Sequence, residues 1–462
     1  MADRSPITNL PNSHDASASD GPSDSLFPLS FTPFEFYYLL EDRPEYASTF
    51  PVRLQCSGLL DREAFSQAFR LAMERHPFLS ARIAFDRRGW PRWEAGEPGS
   101  IHWAQIPVDP HAPCDSTSVS CGLKMTITQT GDLTEWEIVF HHVAVDGLGA
   151  FQFIMDLFLA YAHLSTDSSG PFPWRKIDPL RLRDRDGHQL FKQGVRLGDL
   201  VRLARVTLPL NIRRAAIVSN HAHLPSDDEL PSSSDDLVHH LTEHETCELS
   251  RIAAMQSVML NDLLVRDYFL TLEAWNRGTS EAERPIRILV PTNLRRREDY
   301  RMPAANVFSF SFLSRRSRDC KNRDELLDSI RDEMVEIKRQ KRGLYFEAGL
   351  RIFCIWPALL RWSLGRPWPF ATAIFSNLGA GLDNVPLPLC NGRRVCGNLV
   401  FEGGSGAAPI RPDTRVSFAI HSYSGRMAVC CRCDPRSFSP QQRRELLDAY
   451  VEQLRTTIEC ES

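Results

Sequence analysis

The chain carries almost no net charge. Its 54 Lys and Arg stand against 58 Asp and Glu, leaving −4 over 462 residues. A global positive field of the kind that holds nucleic acid is therefore excluded, although local basic patches are not. No unbroken apolar run reaches the roughly 18 residues that a bilayer-spanning helix needs. The opening MADRSPITNLPNSHDASASDGPSDS lacks the apolar core of a secretory signal and reads as a disordered tail over 1–25. No Gly-x-Ser-x-Gly elbow is present, so a hydrolase of that type has no support. Glycine, at 25, is scarcer than proline, at 31, which fits a chain with many marked element ends. The 12 cysteines are scattered, and the densest run, Cys430, Cys431 and Cys433 in MAVCCRC, alternates like a strand. They read as reduced structural thiols, and a cytoplasmic location is expected.

What is present is enough apolar material for large cores, with 42% hydrophobic residues and 24% charged. The length is long for one domain and short for three. GLLDREAFSQAFRLAMERHPFL sets Phe65, Ala68, Phe69, Ala72 and Met73 on one helical stripe, capped by Asp61 and stopped by Pro77. FPVRLQCSG before it and LSARIAF after it read as strands. KMTITQT and TEWEIVFHH are further strands, parted by the turn residues Gly131 and Asp132, and the helix GLGAFQFIMDLFLAYAHL follows. A second set of strands is expected in PIRILVPTNL, NVFSFSFL, TAIFSNLG, RVSFAIHSY and MAVCCRC. A helix over about 324–342 begins with acids and ends with bases, as its dipole prefers. Between the two sets, NHAHLPSDDELPSSSDD cannot bury a core and reads as a linker. The expected organisation is a tail (1–25), an N-terminal half (26–222), a linker (223–236) and a C-terminal half (237–462).

The strongest chemical signal is FHHVAVDGLGAF, residues 140–151. Two histidines close an apolar strand, and an Asp-Gly pair opens an apolar helix. A strand end holds a side chain rigidly while exposing it to a crevice, and histidine is suited to taking a proton near neutral pH. His141, His142 and Asp146 could also begin a metal site, but no further ligand is evident in the sequence, so no metal is expected.

HHVAVDG matches the pattern HHxxxDG, and with it the chain resembles the chloramphenicol-acetyltransferase-like and condensation-domain acyltransferases. It looks nearest to alcohol O-acyltransferases and wax ester synthase-like enzymes. LDREAFSQAFRLAMERHPFLSARI, MLNDLLVRDYFLTLEAW, ILVPTNLRRR with Asn306, TAIFSNLG and FAIHSYSGRMAV carry the likeness from about 28 to 456. The DFGWG motif of the plant branch is missing. The resemblance implies an α/β (α+β) fold of two similar sandwich halves with a tunnel between them. It implies that His142 is the general base and that Asp146 is an orienting group paired with an arginine, for which Arg295 is the candidate. His141 is then a strand-end support. The Gly147 amide and the Ser376 hydroxyl are candidate oxyanion donors, and Asn377 shapes the substrate site. Ser376 and Asn377 have a plainer reading too, as groups that satisfy backbone atoms at a crossover.

The same resemblance implies an acyl group moved from coenzyme A or a carrier-protein phosphopantetheine thioester to an acceptor hydroxyl, with no permanently bound cofactor. Two alternatives remain open: a free-standing condensation enzyme forming an amide, and a non-catalytic member binding carriers or lipids. Expected partners are a small-molecule acceptor and an acyl carrier protein, with no nucleic acid and a monomeric state. A peripheral membrane contact is also open, because Arg175 to Arg214 holds eleven Lys or Arg against four Asp, within a segment rich in apolar residues. LYFEAGLRIFCIWPALLRW is similarly apolar and reads either as channel lining or as an interface. His239-His240 lacks a following Asp-Gly and reads as strand surface. EGGSGAAP lacks the Lys and Ser/Thr of a phosphate loop and is expected to be a flexible loop.

Overall fold

A computed structural model describes residues 26–104, 122–166, 170–186, 197–220 and 236–461. The expected tail, and all of the expected linker except Asp236, lie outside these residues. The first part of the chain runs β1 (Leu29–Ser30), α1 (Pro33–Glu41), β2 (Thr49–Ser57), α2 (Arg62–Arg75), β3 (Arg82–Phe85), β4 (Pro91–Glu94) and β5 (Ile101–Ala104). Next come β6 (Leu123–Thr130), β7 (Leu133–His141), α3 (Gly147–Leu164) and α4 (Leu197–Ile212). The second part opens with β8 (Leu237–His240), α5 (Glu243–Met255), α6 (Leu260–Asn276), β9 (Ile286–Asn293) and β10 (Phe308–Arg315). Three helices follow, α7 (Arg323–Gln340), α8 (Arg342–Cys354) and α9 (Pro357–Leu364). The chain ends with β11 (Ala373–Gly379), β12 (Leu389–Cys390), β13 (Arg393–Cys396), β14 (Leu399–Gly406), β15 (Val416–Tyr423), β16 (Arg426–Cys433) and α10 (Pro440–Glu461).

Among the described residues, these strands build a seven-stranded sheet, β12-β13-β14-β2-β7-β6-β5, and a six-stranded sheet, β10-β9-β11-β15-β16-β8. A small sheet, β1-β4-β3, stands apart. The architecture is α/β. The seven-stranded sheet is not built from one stretch of chain, because β14 crosses back to pair antiparallel with β2.

Each large sheet buries one face under helices whose apolar spacing the sequence displays. Phe65, Phe69 and Met73 of α2 meet Phe153 and Leu157 of α3 over Trp136 and Ile138 of β7. Helix α3 is apolar nearly all round and is the one described helix long and apolar enough to cross a membrane; here it is packed into this core. On the other sheet, Leu327, Ile330 and Met334 of α7 and Leu447, Tyr450 and Leu454 of α10 share a second core. A third cluster joins Phe34, Tyr37 and Tyr38 of α1 to Phe308 and Phe310 of β10, and includes Val143 and Ala144. The segment just beyond β7 thus packs against α1 and residues of the six-stranded sheet.

One local reading changes. Gly403, Gly404 and Gly406 are not in a flexible loop but in β14, paired with β2. Glycine is required by the closeness of that pairing, since a Cβ on Gly404 would sit 2.7 Å from the Arg53 carbonyl oxygen and 2.8 Å from Leu54. Cys430 and Cys433 have a C-x-x-C spacing, but an odd interval on a strand sends them to opposite faces. Cys430 packs with Ala407 and Ala419, while Cys431 and Cys433 enter the core under α10.

Candidate active site

Strand β7 delivers the histidines. Thr49 of β2 lies opposite His141, so the chain is still in the sheet at that residue. His142 is the first residue past the strand, and its backbone N–H donates to the Ser48 carbonyl at 2.7 Å. The Asn306 side-chain amide donates to the carbonyls of both His142 and Val143. The imidazole lies against Tyr38 (ring centroids 4.5 Å apart, planes at 8°), Phe308 (5.3 Å, 27°) and Phe50 (4.9 Å).

Only 9% of His142 is exposed, and its Nδ1 has no hydrogen-bond partner among the described residues. Burial pushes its pKa down to about 4, against the upward pull of the Asp146 carboxylate. The ring is therefore uncharged at neutral pH and has a lone pair free to take a proton.

Asp146 caps α3. Its Oδ1 accepts the Gly149 N–H at 2.8 Å and its Oδ2 the Val307 N–H at 2.8 Å. Arg295 closes on both oxygens, at 2.7 and 3.0 Å, and also donates to the Ala305 carbonyl at 2.8 Å. A carboxylate so fully engaged is poorly placed to exchange protons with a substrate. His141 turns the other way: its Nε2 lies 3.3 Å from Asp42 Oδ2, and its Nδ1 accepts the Val143 N–H at 3.2 Å.

A cavity of about 180 Å³ brings His142, Asp146, Gly147, Ser376 and Asn377 together. His141 and Arg295 do not line it. Gly147 is the first residue of α3, where an N–H has no acceptor within the helix. Ser376 and Asn377 arrive on β11, with Asn377 Oδ1 taken by the Gly379 N–H at 2.9 Å. Residues Gly404 to Ala408 supply another wall.

His142 also lines a narrower cavity of about 40 Å³ with Tyr38, Ser48 and Arg411. That space shares Glu41, Phe310 and Arg411 with an apolar cavity of about 100 Å³ bounded by α4, α8 and α9. In the other direction, the main cavity shares Leu54, Gly404, Ser405 and His421 with an open cleft of about 660 Å³ lined by charged residues. His142 therefore stands on a row of spaces with a polar end and an apolar end. Arg411 and Glu41 form an ion pair along the row, where burial lowers the arginine pKa to about 9 and raises that of the carboxyl group.

Sequence reasoning did not single out Asn306, Tyr38 or Phe308 as site residues. Each touches His142 from an element far away in the chain, and only the alternation FSFSF hinted that Phe308 faces inward. His421 was also missed; it lines the cavity with Nε2 2.6 Å from the Gly404 carbonyl, and burial lowers its pKa.

No protein-family model matches the chain, and no curated protein matches it in sequence. Solved structures do. The first condensation domain of the CDA synthetase superposes with a TM-score of 0.72 at 15% identity, covering 94% of this chain and 97% of that one. The chain has the condensation-domain fold. A starter condensation domain of rhizomide synthetase, solved as a variant with C8-CoA, matches with a TM-score of 0.67 at 12% identity, over 94% of this chain and 96% of the other. The epimerization domain from the third module of tyrocidine synthetase B matches with a TM-score of 0.66 at 14% identity, over 94% and 98%. The condensation-domain fold is thus shared by proteins named for condensation and for epimerization. Chemistry must be argued from the residues around His142.

Proposed function

We propose that the protein is an acyltransferase that moves an acyl group from a coenzyme A or carrier-protein thioester to an acceptor hydroxyl. The observation that carries this reading is His142: an uncharged, rigidly held imidazole that lines two adjoining cavities. The acceptor O–H gives its proton to the imidazole as its oxygen bonds to the thioester carbonyl carbon. The carbonyl oxygen becomes an oxyanion, facing the Gly147 amide and the Ser376 hydroxyl, with Asn377 beside them. The C–S bond then breaks, the ester leaves, and the imidazolium returns its proton to the thiolate. One oxyanion donor of this kind contributes a rate factor of about 10²–10³. Asp146 and Arg295 position the turn, and His141 props the strand end.

A pKa of about 4 makes the imidazole a weak base before reaction, but it keeps nearly every molecule in the competent form. Negative charge developing on the attacking oxygen then draws the proton across.

A second reading keeps His142 and forms an amide between carrier-bound partners. The cleft of about 660 Å³ favours it by its size, which leaves room for a second carrier-borne partner; its Arg53, Arg393 and Arg426 share the lining with Glu135, Glu137, Glu243 and Glu402.

The test is transfer itself. Purified protein is incubated with acyl-coenzyme A and a panel of alcohols and amines, following thiol release and product mass. Ester formation that His142→Ala nearly abolishes is the expected result. Full activity in that variant overturns the mechanism. Amide formation only with acylated carrier protein transfers the weight to the second reading, and no transfer with any donor favours a binding protein.

A further inference from the structure

Helix α4 carries two apolar faces. Leu203 and Leu210 turn inward, towards α8 and the apolar cavity, and are buried. Leu197, Val201, Leu208 and Ile212 recur at helical spacing on the opposite side and are exposed, Leu197 by 79% and Ile212 by 68%. The neighbouring α8–α9 pair, bent by 115°, presents Ile355, Trp356, Leu359 and Trp362 in the same state, with both tryptophans 60% exposed. Thr207 and Leu210 of α4 and Leu360 and Leu364 of α9 wall the same cavity of about 100 Å³, so the two outward faces flank it.

We infer that this face docks on an anionic lipid surface and opens the apolar end of the cavity row towards the bilayer. Large apolar side chains exposed together in this way mark an interaction site. The partner is specified by charge: Arg205, Arg213, Arg361 and Arg366 are exposed around the face, and no acid occurs between 348 and 370. Tryptophan beside arginine suits the boundary between headgroups and acyl chains, with Arg366 4.8 Å over the Trp362 ring. A second copy is disfavoured as occupant, because a two-fold contact would set these arginines against themselves. Docking stands independently of chemistry; that the route delivers a lipophilic substrate to His142 rests on the acyl-transfer reading.

Co-sedimentation with vesicles tests the inference. The full chain binds vesicles of phosphatidylcholine mixed with phosphatidylglycerol, binds pure phosphatidylcholine weakly, and is released as salt rises. Trp356→Ser with Trp362→Ser lowers partitioning roughly tenfold or more. Arg361→Gln with Arg366→Gln lowers it about fivefold per charge. Circular dichroism shows that both double variants remain folded. Absence of binding by the parent, equal binding to both vesicles, or undiminished binding by the folded variants overturns the inference. So does a lipid-free dimer that the tryptophan substitutions dissociate. Vesicle binding without acyl transfer sinks the proposed reaction and leaves the docking face; transfer without vesicle binding does the reverse.

Discussion

Asp146 and Arg295 meet through two parallel hydrogen bonds, 2.7 and 3.0 Å long, with both side chains nearly sealed from solvent. One residue caps α3 and the other follows β9, so the pair bolts the end of one large sheet to the end of the other. Breaking a buried pair strands a charge, whereas replacing both partners does not. Asp146→Asn is expected to lower the unfolding free energy by about 3–5 kcal/mol, and Asp146→Leu with Arg295→Met to recover a substantial part. Urea titration measures both, and an Asp146→Asn variant as stable as the parent contradicts the bolt.

Burial lowers the pKa of His142 to about 4 and also lowers those of His76 and His421. Unfolded, each would titrate near 6.5, so between that value and the folded pKa the unfolded chain binds more protons and stability rises with pH. Their contribution is complete above about 6.5 and drains away as pH falls, for His142 until about pH 4. The melting temperature should drop from pH 7 to pH 5, less steeply in His142→Asn. Transfer should stay level from pH 8 down to 5, with its acid limb near 4. A limb at 6.5 is the opposite outcome.

The Tyr38 ring lies almost parallel to His142, 4.5 Å away, and keeps water from it. Tyr38→Ala is expected to cost about 3–5 kcal/mol of stability, as truncation of a buried aromatic does. With water admitted, the His142 pKa should climb towards 6.5, as read from its ring proton shifts by NMR. An unchanged value would remove desolvation by Tyr38 as the cause.

Gly404 tests the close approach of β14 to β2. An added methyl has backbone on one side and a buried leucine on the other, so Gly404→Ala should destabilise by about 1–3 kcal/mol. Gly170→Ala, in open space and without a positive φ, is the control for volume. Equal melting temperatures for the parent and Gly404→Ala would mean that β14 shifts freely.

Where periodicity is strong, the sequence is easy to read. GLGAFQFIMDLFLAYAHL is α3 from its first residue to its last, because an Asp cap and a long apolar pattern leave no rival conformation. TAIFSNLG and MAVCCRC likewise fall on β11 and β16. Arg295 could be put forward as the partner of Asp146 because the resemblance supplied a role waiting for a cation. Gly403 to Gly406 could not be read as strand, since glycine has no propensity for it and the close neighbour that demands it comes from β2. Tyr38 and Asn306 were hidden for a related reason. Nothing local in PFEFYYLLE or in the loop before β10 shows which atoms will meet His142 after folding. Contacts across the chain leave little trace in short-range pattern.

The return of β14 to β2 has a consequence for biosynthesis. Strand β2 is synthesised well before β14, and among the described strands one of its edges has no neighbour until residue 406 has been made. Throughout that interval a strand carrying Val52, Leu54 and Cys56 offers an open edge to other nascent chains. Gly404 to Ala408, one wall of the His142 cavity, arrive with the same late segment, and Ala419 and His421 of β15 follow it. A product truncated before β14 would therefore lack both the sheet's closing partner and part of the site.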